Sequence, residues 1–487
     1  MNKIISTLVA ILCFTVNALA QEETAARTVR PALLQDLNIN ADINIASVTI
    51  RQRVNSQEGQ SSSLSVRTTR AGELAELLGD RVTQIDELHV EGPINAEDFN
   101  TMWNATFNGR LKMLDLCNAS VENDIIPDYA LFHIDEQVDW STLNITVICL
   151  EKLVLPDDIL EIGDFAFAYA ISLTDVNFPS SLRYIGKSAF TDCIQLTADK
   201  LSFGENLEKL DEQAFYQCIG LTGHIHLPES LRWIDYAVFY HCKISGINFP
   251  SSLEYLGCMA FAGSRFKTAI LPDDCYLCPH GDQFYNNWEL IEVHLPDNLE
   301  FVPDGVVGDC ISLNKVNVPK KAVYIGEFAF DQTKIEEIEI PESVVAIKQD
   351  AFQSCNRLQT IVFPSSLSEL GDNVFNLCTS LHSIYCKAEE PPICTEGING
   401  SNPFNSLNTS IPVYIPINTR DKYHSAHGWN YFTNFIETDN FPSAGIDDVL
   451  TDKMERAPNV YDLYGRRVKT LKSGNIYIQN SKKFIHK

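Results

Sequence analysis

The feature that most constrains this chain is a short unit that recurs along most of its length. Segments that end in proline follow one another at intervals of about 22 to 25 residues. Self-similarity at this period indicates a solenoid, in which each unit buries its apolar face against its neighbours. The terminal residues are Pro156, Pro179, Pro228, Pro250, Pro272, Pro296, Pro319, Pro341 and Pro364, and Phe203-Gly204 fills the one missing position.

Two copies show the anatomy of the unit. Residues 173–193 are LTDVNFPSSLRYIGKSAFTDC, and residues 358–378 are LQTIVFPSSLSELGDNVFNLC. The first piece alternates apolar and polar residues, which predicts a short strand with one buried face, and proline ends it because proline cannot donate to a strand ladder. The Ala-Phe piece brings a large anchor side chain to the interior at a fixed phase. The anchors are Phe167, Phe190, Phe215, Phe239, Phe261, Phe284, Val307, Phe330, Phe352 and Phe375.

Many of the 14 cysteines recur in the same phase as the anchors. A free cysteine behaves as a small buried hydrophobe with a weak donor. We therefore predict an unreactive internal ladder of thiols rather than a disulfide framework, and asparagine at one position indicates that these side chains also meet backbone groups. Three residues after the anchors stand Cys193, Cys218, Cys242, Cys310, Cys355 and Cys378, with Ala170, Ser264, Asn287 and Thr333 in the other turns.

The repeat resembles the BspA-type leucine-rich repeat found in surface proteins of Bacteroidota and some parasitic protists. Its shared skeleton is L-x-x-I-x-F-P, then S-L-x-x-I-G, then A-F-x-x-C-x-x-L. About ten copies agree in phase, over roughly residues 80 to 390. The resemblance implies a right-handed leucine-rich-repeat solenoid, with mainly short parallel β-strands on one side and irregular or short helical turns on the other. Irregular rungs reach back to Ile85, so we place the solenoid at residues 81–390.

The N-terminal residues predict export. Residues 1–20 have the pattern of a signal peptide: Lys3, an apolar run over 4–16, then the small residues Ala18 and Ala20 at the cleavage position. We expect a protein that is secreted or held at the cell surface or outer membrane of a Gram-negative bacterium, without a transmembrane helix. Residues 21–80 form an N-terminal flanking segment, in which a short helix over 71–79 caps the stack.

The C-terminal residues depart from the repeat. Residues 391–440 resemble the terminal cap of the same family: a strand, a short helix with Tyr423 and Ala426, and then Trp429 and Phe432 folded onto the last rung. Residues 441–487 predict a linker and a short β-rich tail, with strands over 460–468 and 474–478. The tail resembles the C-terminal sorting signals of the type IX secretion pathway in Bacteroidota, although it is shorter. A small β-tail that packs on the cap is the alternative.

Three pairs of chemically interesting residues lie outside the ladder. Cys386 and Cys394 are close in sequence and are a candidate disulfide. Cys275 and Cys278 form a CxxC in an expected loop, without a second pair for zinc, so a local disulfide or two packed thiols explain them better than redox or metal chemistry. His424 and His427 lack a fixed third ligand, so we predict no metal site.

Charge and motifs narrow the function classes. The formal net charge of -27 disfavours nucleic acid and anionic lipid as partners, because an acidic body repels phosphates. The sequence has no Gly-rich phosphate loop, triad spacing or paired-carboxylate pattern, so we predict neither an enzyme nor a cofactor. An enzyme with a site in residues 21–80 is the weakest alternative.

The outward positions of the strands vary while the skeleton between them repeats. They mix histidine, asparagine and tyrosine with charges, which suits recognition of a protein or glycan. We therefore predict an adhesin-like surface protein that binds its partner along the strand face. A structural or accessory surface protein without a specific ligand is the alternative. The candidate contacts are Asp175, Asn177, Lys200, His224, His226, Asn248, Glu292, His294, Lys315, Asn317, Glu337, Glu339 and Tyr385.

Overall fold

The computed structural model describes residues 62–133, 148–395, 397 and 401–442, together with the backbone of 476–479 and 482–485. The predicted signal peptide, residues 21–61 and the predicted strand over 460–468 lie outside the described residues. The chain divides into a unit of residues 1–439 and a unit of residues 440–487. Within the described part of the larger unit, the predicted leucine-rich-repeat solenoid is confirmed as a parallel β-solenoid of about 15 turns.

One side of the solenoid carries the predicted strands, and we call it the long-strand side. Its strands pair in parallel with the strands of neighbouring turns. Their alternate side chains point inward, as the alternation predicts. The strands are Ser63–Arg67, Glu87–Ile94, Met113–Val121, Lys152–Val154, Asp175–Val176, Gly223–His226, Ile244–Asn248, Thr268–Ile270, Glu292–His294, Lys315–Val316, Thr360–Phe363, Ser383–Cys386, Val413–Ile415 and Phe435–Glu437.

A second set of parallel strands, the short-strand side, follows the proline of each turn. The sequence predicts irregular or helical turns there, and the structure instead pairs the aliphatic residue of S-L-x-x-I-G with its equivalent in the next turn. Each strand has two residues, and in most turns a Gly or Asp follows it directly. The strands are Ile125–Ile126, Glu161–Ile162, Tyr184–Ile185, Lys209–Leu210, Trp233–Ile234, Tyr255–Leu256, Tyr276–Leu277, Phe301–Val302, Tyr324–Ile325, Ala346–Ile347, Glu369–Leu370 and Ile393–Cys394.

The Ala-Phe segment returns the chain to the long-strand side through two left-handed residues per turn. Around Phe215 these are Gln213 and Gln217, with φ of 59° and 54°. Positive φ is uncommon in residues other than glycine, so this recurrence marks two sharp bends that aim the anchor inward. The backbone N–H groups of all three residues donate to carbonyls of the next turn, at 2.8 to 3.0 Å. This segment therefore adds a third ladder of hydrogen bonds between turns.

The anchors and the thiols form two columns in the interior. Phe239 lies between Phe215 and Phe261, with ring centroids 5.5 and 5.3 Å away. The predicted thiol ladder is also present: each of the six thiols is free and buried and lies near a phenylalanine carbonyl of the preceding turn. The Cys218 Sγ, for example, donates to Phe190 O at 3.0 Å. Asn287 takes the same role with its Nδ2, 2.9 Å from Phe261 O.

The stack begins earlier than the sequence predicts. The strand Ser63–Arg67 pairs with Glu87–Ile94, so the first rung lies in the stretch predicted as the N-terminal flanking segment. Helix α1, Leu74–Leu78, and the 3-10 helix Gly79–Arg81 follow this strand. Helix α2, Ala96–Phe107, was not predicted; a capping box between Asn95 and Asp98 begins it. The buried Asp98 also accepts the backbone N–H groups of Gly72 and Leu74, which fastens α1 to α2. A further 3-10 helix spans Glu122–Asp124.

At the C-terminal end, residues 401–439 close the core. Helix α3, Arg420–Ser425, and the 3-10 helix Trp429–Tyr431 separate the last two strands of the long-strand side. Tyr423, Trp429 and Phe432 are buried, and the ring centroids of Trp429 and Phe404 lie 4.9 Å apart. In the smaller unit, the strands Ile476–Gln479 and Lys482–Ile485 pair antiparallel. No helix among the described residues is long and apolar enough to span a bilayer.

Candidate functional site

Five adjacent strands bring together the central part of the predicted contact face. They run from Gly223–His226 to Lys315–Val316, and each lies beside the next. We call their outward surface the strand-face patch, and it consists of His224, His226, Gly246, Thr268, Ile270, Glu292, His294 and Lys315. His224, His226, Glu292, His294 and Lys315 are among the residues predicted from sequence.

The two histidines at the N-terminal end of the patch have a defined geometry. The rings of His224 and His226 lie 4.4 Å apart. The His224 ring covers Gly246 in the next turn, where a Cβ atom would lie 2.5 Å from His224 Cδ2. Burial and the neighbouring His226 lower the pKa of His224, so this imidazole is neutral near pH 7 and can both donate and accept.

The rest of the patch combines an apolar residue with charges. Ile270 is 62% exposed and lies in register with His294. Glu292 pairs with Lys315 across the strands, and His294 Nε2 lies 3.9 Å from Asp273 Oδ1. An exposed aliphatic side chain flanked by imidazoles and an ion pair resembles the composition of a protein interface more than that of a uniformly solvated face.

Three of the predicted contacts have a structural role instead. The side chains of Asn177, Asn248 and Asn317 each bond to the backbone of a leucine in the preceding turn. Leu227, for example, donates its N–H to Asn248 Oδ1 at 3.2 Å and accepts from Nδ2 at 3.1 Å. Each such leucine precedes a proline, where the strand ladder ends, so the asparagine amide replaces a missing backbone partner. Each amide therefore commits its oxygen and one of its N–H groups to the backbone.

Replacing Asn248 with alanine is expected to reduce the free energy of unfolding by about 1 to 3 kcal/mol, because both backbone groups of Leu227 lose their partner. Chemical denaturation of the variant and the parent measures this change. Ser245→Ala, an exposed position of the same strand, is the matched control and should change stability by less than about 0.5 kcal/mol. Equal stability of Asn248→Ala and the parent would contradict the structural role.

The other predicted contacts do not join the patch. The backbone N–H of Lys200 donates to Thr197 O, so this lysine lies in a tight reverse turn. This coil of the solenoid therefore contributes no strand to the long-strand side, and the expectation of a strand-face lysine is wrong. Asp175 lies on the far side of that gap and pairs with Lys152 at 3.5 Å. Glu337 lies outside the strands, and Glu339 forms an isolated bridge with Val362. Tyr385 stacks on Tyr414 at 4.3 Å near the C-terminal cap.

One group of potential metal ligands touches the patch. Single ligand atoms of Asp273, His294 and Asp297 lie within 4.8 Å of one another. Asp297 already pairs with Lys320 at 3.3 Å and accepts from Asn317 Nδ2 at 3.2 Å. Because Lys320 balances the charge of that carboxylate and Asn317 occupies its other oxygen, we assign no metal to the cluster.

The cysteines outside the ladder pair differently from the two candidates. Cys278 forms a disulfide with Cys258 of the preceding turn, with an S–S distance of 2.10 Å, whereas Cys275 is a free buried thiol. The two bonded cysteines follow short strands that pair in register, which brings their Cα atoms to 5.4 Å.

The candidate bond between Cys386 and Cys394 is absent from the structure, and both are free buried thiols. Cys386 ends a strand of the long-strand side, whereas Cys394 belongs to the short-strand side. The Tyr423 hydroxyl donates to Ala388 O at 2.8 Å, and its oxygen lies 3.1 Å from Cys386 Sγ. The cap therefore holds this sulfur by packing and hydrogen bonding.

A cysteine, a histidine and an aspartate meet on the first rungs, and their geometry argues against nucleophilic chemistry. His89 Nδ1 lies 2.9 Å from Asp115 Oδ2, and Cys117 is exposed beside them. The hydrogen bond to Asp115 is the largest cause of the raised pKa of Cys117. The carboxylate thus lies between the thiol and the imidazole and keeps the sulfur protonated, whereas an activated cysteine needs a lowered pKa.

An aromatic column, which the sequence patterns did not predict, lies on the outer face of the short-strand side. Ring centroids of Trp233 and Tyr255 lie 4.1 Å apart, and Tyr276, Phe301 and Tyr324 continue the column at 5.7 to 6.3 Å. The signal was the aromatic residue before the aliphatic of S-L-x-x-I-G. Most neighbouring rings stack on one another, so the column presents mainly edges rather than open faces.

The family model that matches the chain agrees with this architecture. The family model of the BspA type leucine rich repeat region matches residues 146–274 and 280–398, in 6 copies. A leucine-rich repeat protein from Bacteroides ovatus is 21% identical over 71% of this chain and 94% of its own, with a TM-score of 0.48. A leucine rich cell surface protein from Faecalibacterium prausnitzii is 20% identical over 66% of this chain and 84% of its own, with a TM-score of 0.37. No curated protein sequence matches the chain. Because the family model spans just over half of its residues, the chain belongs to the BspA-type leucine-rich-repeat family.

Proposed function

We propose that this chain is an exported, surface-associated binding protein of the adhesin type, which contacts a protein or glycan partner through the strand-face patch. The observation that carries the proposal is the contrast within five neighbouring turns. Their interior repeats the same anchors, whereas their outward side chains include imidazoles, an exposed isoleucine and an ion pair. The fold does not require those identities, so a partner is the physical reason for them.

Family membership supports a binding role. Proteins of this family are typically surface-associated in Bacteroidota, and leucine-rich-repeat proteins generally bind protein partners. The family and its solenoid fold are typically non-enzymatic. A regular stack of turns also provides a long rigid surface, which lowers the ordering cost of contacting a large partner.

The test measures binding of the purified full chain to intact bacterial and mammalian cells by flow cytometry. The patch variant combines His224→Ala, His226→Ala, Ile270→Ser and His294→Ala, all outward positions. We expect its apparent affinity to fall at least tenfold, which corresponds to the loss of about 1.4 kcal/mol or more. Treating the cells with protease or with periodate distinguishes a protein partner from a glycan partner.

A control variant carries changes on the same side of the solenoid but outside the patch. It combines Glu337→Ala, Glu339→Ala and Thr360→Ala, and it should bind like the parent. Circular dichroism of both variants checks that the solenoid remains folded. Binding that is the same for the parent and the patch variant would reject the patch. No binding of the parent to any cell would instead favour a structural or accessory surface protein.

A further inference from the structure

Three consecutive turns carry two cations and an indole at one position on the edge that leads from the Ala-Phe segment to the long-strand side. The residue that follows the ladder position is Lys334, Asn356 or Thr379 in the last three turns, and it is isoleucine in four others, at Ile171, Ile194, Ile219 and Ile311. In the three turns between the last two of these, it is Lys243, Arg265 and Trp288. The solenoid tolerates an aliphatic residue at this position, so its packing does not explain two cations and an indole in a row.

These three side chains line one concave cleft of about 460 Å³. Gly263 opens it, because this left-handed position carries a side chain in the turns on either side, at His241 and Asn286. The His241 ring leans over the glycine, and a Cβ there would lie 2.6 Å from His241 Cδ2. The cleft thus has the volume of a typical small-molecule site, on a different edge from the strand-face patch.

The two cations of the cleft have no ion-pair partner in the part of the chain that the structure describes. Lys243 is half-buried and Arg265 is exposed, and neither is within salt-bridge distance of a carboxylate, although most of the other described lysines and arginines are. In a chain of net charge -27, two adjacent cations without carboxylate partners form a local site for an anion. Glu289 is the acidic residue that faces the same cleft, so one negative charge of a ligand suffices for balance.

Trp288 gives the cleft an open aromatic face. Its side chain is 60% exposed, and no described ring stacks on it, whereas Trp103, Trp233 and Trp429 each contact another ring. The opposite wall contains His241, which stacks on Tyr240 at 4.3 Å. Burial, with a contribution from Lys243, lowers the pKa of His241, so the ring is neutral and offers hydrogen bonds rather than charge.

We propose that this cleft binds a carboxylated sugar, with the carboxylate on Arg265 and Lys243 and the pyranose ring against the indole of Trp288. Arginine holds a carboxylate through two parallel hydrogen bonds, and an exposed indole supplies the flat apolar surface that the C–H face of a sugar packs on. His241 and Asn286 line the walls with groups that can bond to hydroxyls. The overall acidity of the chain repels polyanions such as nucleic acids, which leaves a singly charged ligand as the best match.

The test is calorimetric titration of the full chain with glucuronic acid and with N-acetylneuraminic acid, each as the free sugar and at the end of an oligosaccharide. We expect at least one of them to bind, and Arg265→Gln and Trp288→Ala each to weaken that binding at least tenfold. Lys334→Met is the matched control, because Lys334 occupies the equivalent position of a turn outside the cleft. This variant should bind the sugar with the same affinity as the parent. Both cleft residues are exposed, so the variants should fold.

Each control ligand lacks either the carboxylate or the sugar ring. Glucose lacks the charge and should not bind; equal binding of glucose would reject the role of the cations. Acetate and inorganic phosphate lack the ring, and binding of these ions as tight as that of the sugars would show a simple anion site and reject the sugar. Absence of binding by every carboxylated sugar would overturn the proposal. The strand-face patch variant should retain sugar binding, which separates this site from the proposed adhesin function.

Discussion

Raising the pH above about 8.5 is expected to destabilise the solenoid steeply, because the thiol ladder holds its protons in the folded state. Burial raises the pKa of Cys218, Cys242, Cys310 and Cys378, and it raises that of Cys355 to about 12. In the unfolded chain the same thiols ionise near pH 8.5.

The direction of the change in stability with pH follows from the higher thiol pKa in the folded state. The folded state binds the thiol proton more tightly, so the stabilisation is fully present below the unfolded pKa and is lost as the pH rises toward the folded one. Each thiol then removes about 1.4 kcal/mol per pH unit, and five thiols remove roughly 7 kcal/mol per pH unit at the limiting slope.

A variant with Cys310→Thr, Cys355→Thr and Cys378→Thr provides the measurement. Threonine is already accepted at this position, where the Thr333 hydroxyl donates to Phe330 O at 2.8 Å. Urea unfolding between about pH 8 and pH 10 should show a pH slope that is shallower by about 4 kcal/mol per unit than that of the parent. Thr333→Ala is the control, since it alters stability without a titrating group and should keep the parent slope. Identical slopes for the triple variant and the parent would refute the ladder as the cause.

Replacing Phe239 with alanine is expected to reduce the free energy of unfolding by about 3 to 5 kcal/mol. The ring is fully buried in the middle of the anchor column, stacked between two others with interplanar angles of 7° and 16°. Truncation removes its apolar area and leaves a cavity, and the hydrogen-bonded turns on both sides resist collapse into it.

The solenoid adds a local signature to this loss. Each turn contacts only its neighbours, so a defect weakens the two interfaces beside it more than the rest of the stack. Hydrogen exchange should therefore accelerate most in the turns around Phe215 and Phe261. Tyr276→Ala is the matched control, because this ring is about half exposed and should cost less than about 1.5 kcal/mol. A loss of the same size in both variants, or uniform acceleration along the chain, would contradict the anchor role.

The sequence predicted the parts of the fold that repeat. The proline steps, the anchors and the cysteines after them establish the period, the buried face of the long strands and the interior position of the thiols. They do so because a repeated apolar residue must meet its equivalent in the next turn. The first rung at Ser63–Arg67 was missed, since its strand pairs a polar stretch with Glu87–Ile94 and carries little of the repeat.

The candidate site was predicted less well because side-chain partners are set by register. Asn248 and His226 occupy neighbouring outward positions in the pattern, yet one bonds to the backbone of Leu227 and the other is exposed. The unpaired backbone that Asn248 satisfies becomes visible only when one turn is placed over the next. The disulfide between Cys258 and Cys278 has the same origin, because it joins two neighbouring turns rather than the two cysteines nearest in sequence.

By itself, the sequence determined the solenoid, its period and what lies inside it, because those follow from apolar residues that recur at fixed intervals. Only the tertiary structure decided which outward groups are free. Where the turns stack, Asn177, Asn248 and Asn317 bond to the backbone of the preceding turn. Stacking also places the residues of the strand-face patch on one surface and leaves a cleft beside Trp288. The physical reason is that each outward side chain has its neighbours in other turns, about 22 residues away along the chain but one strand spacing of about 4.8 Å away in space.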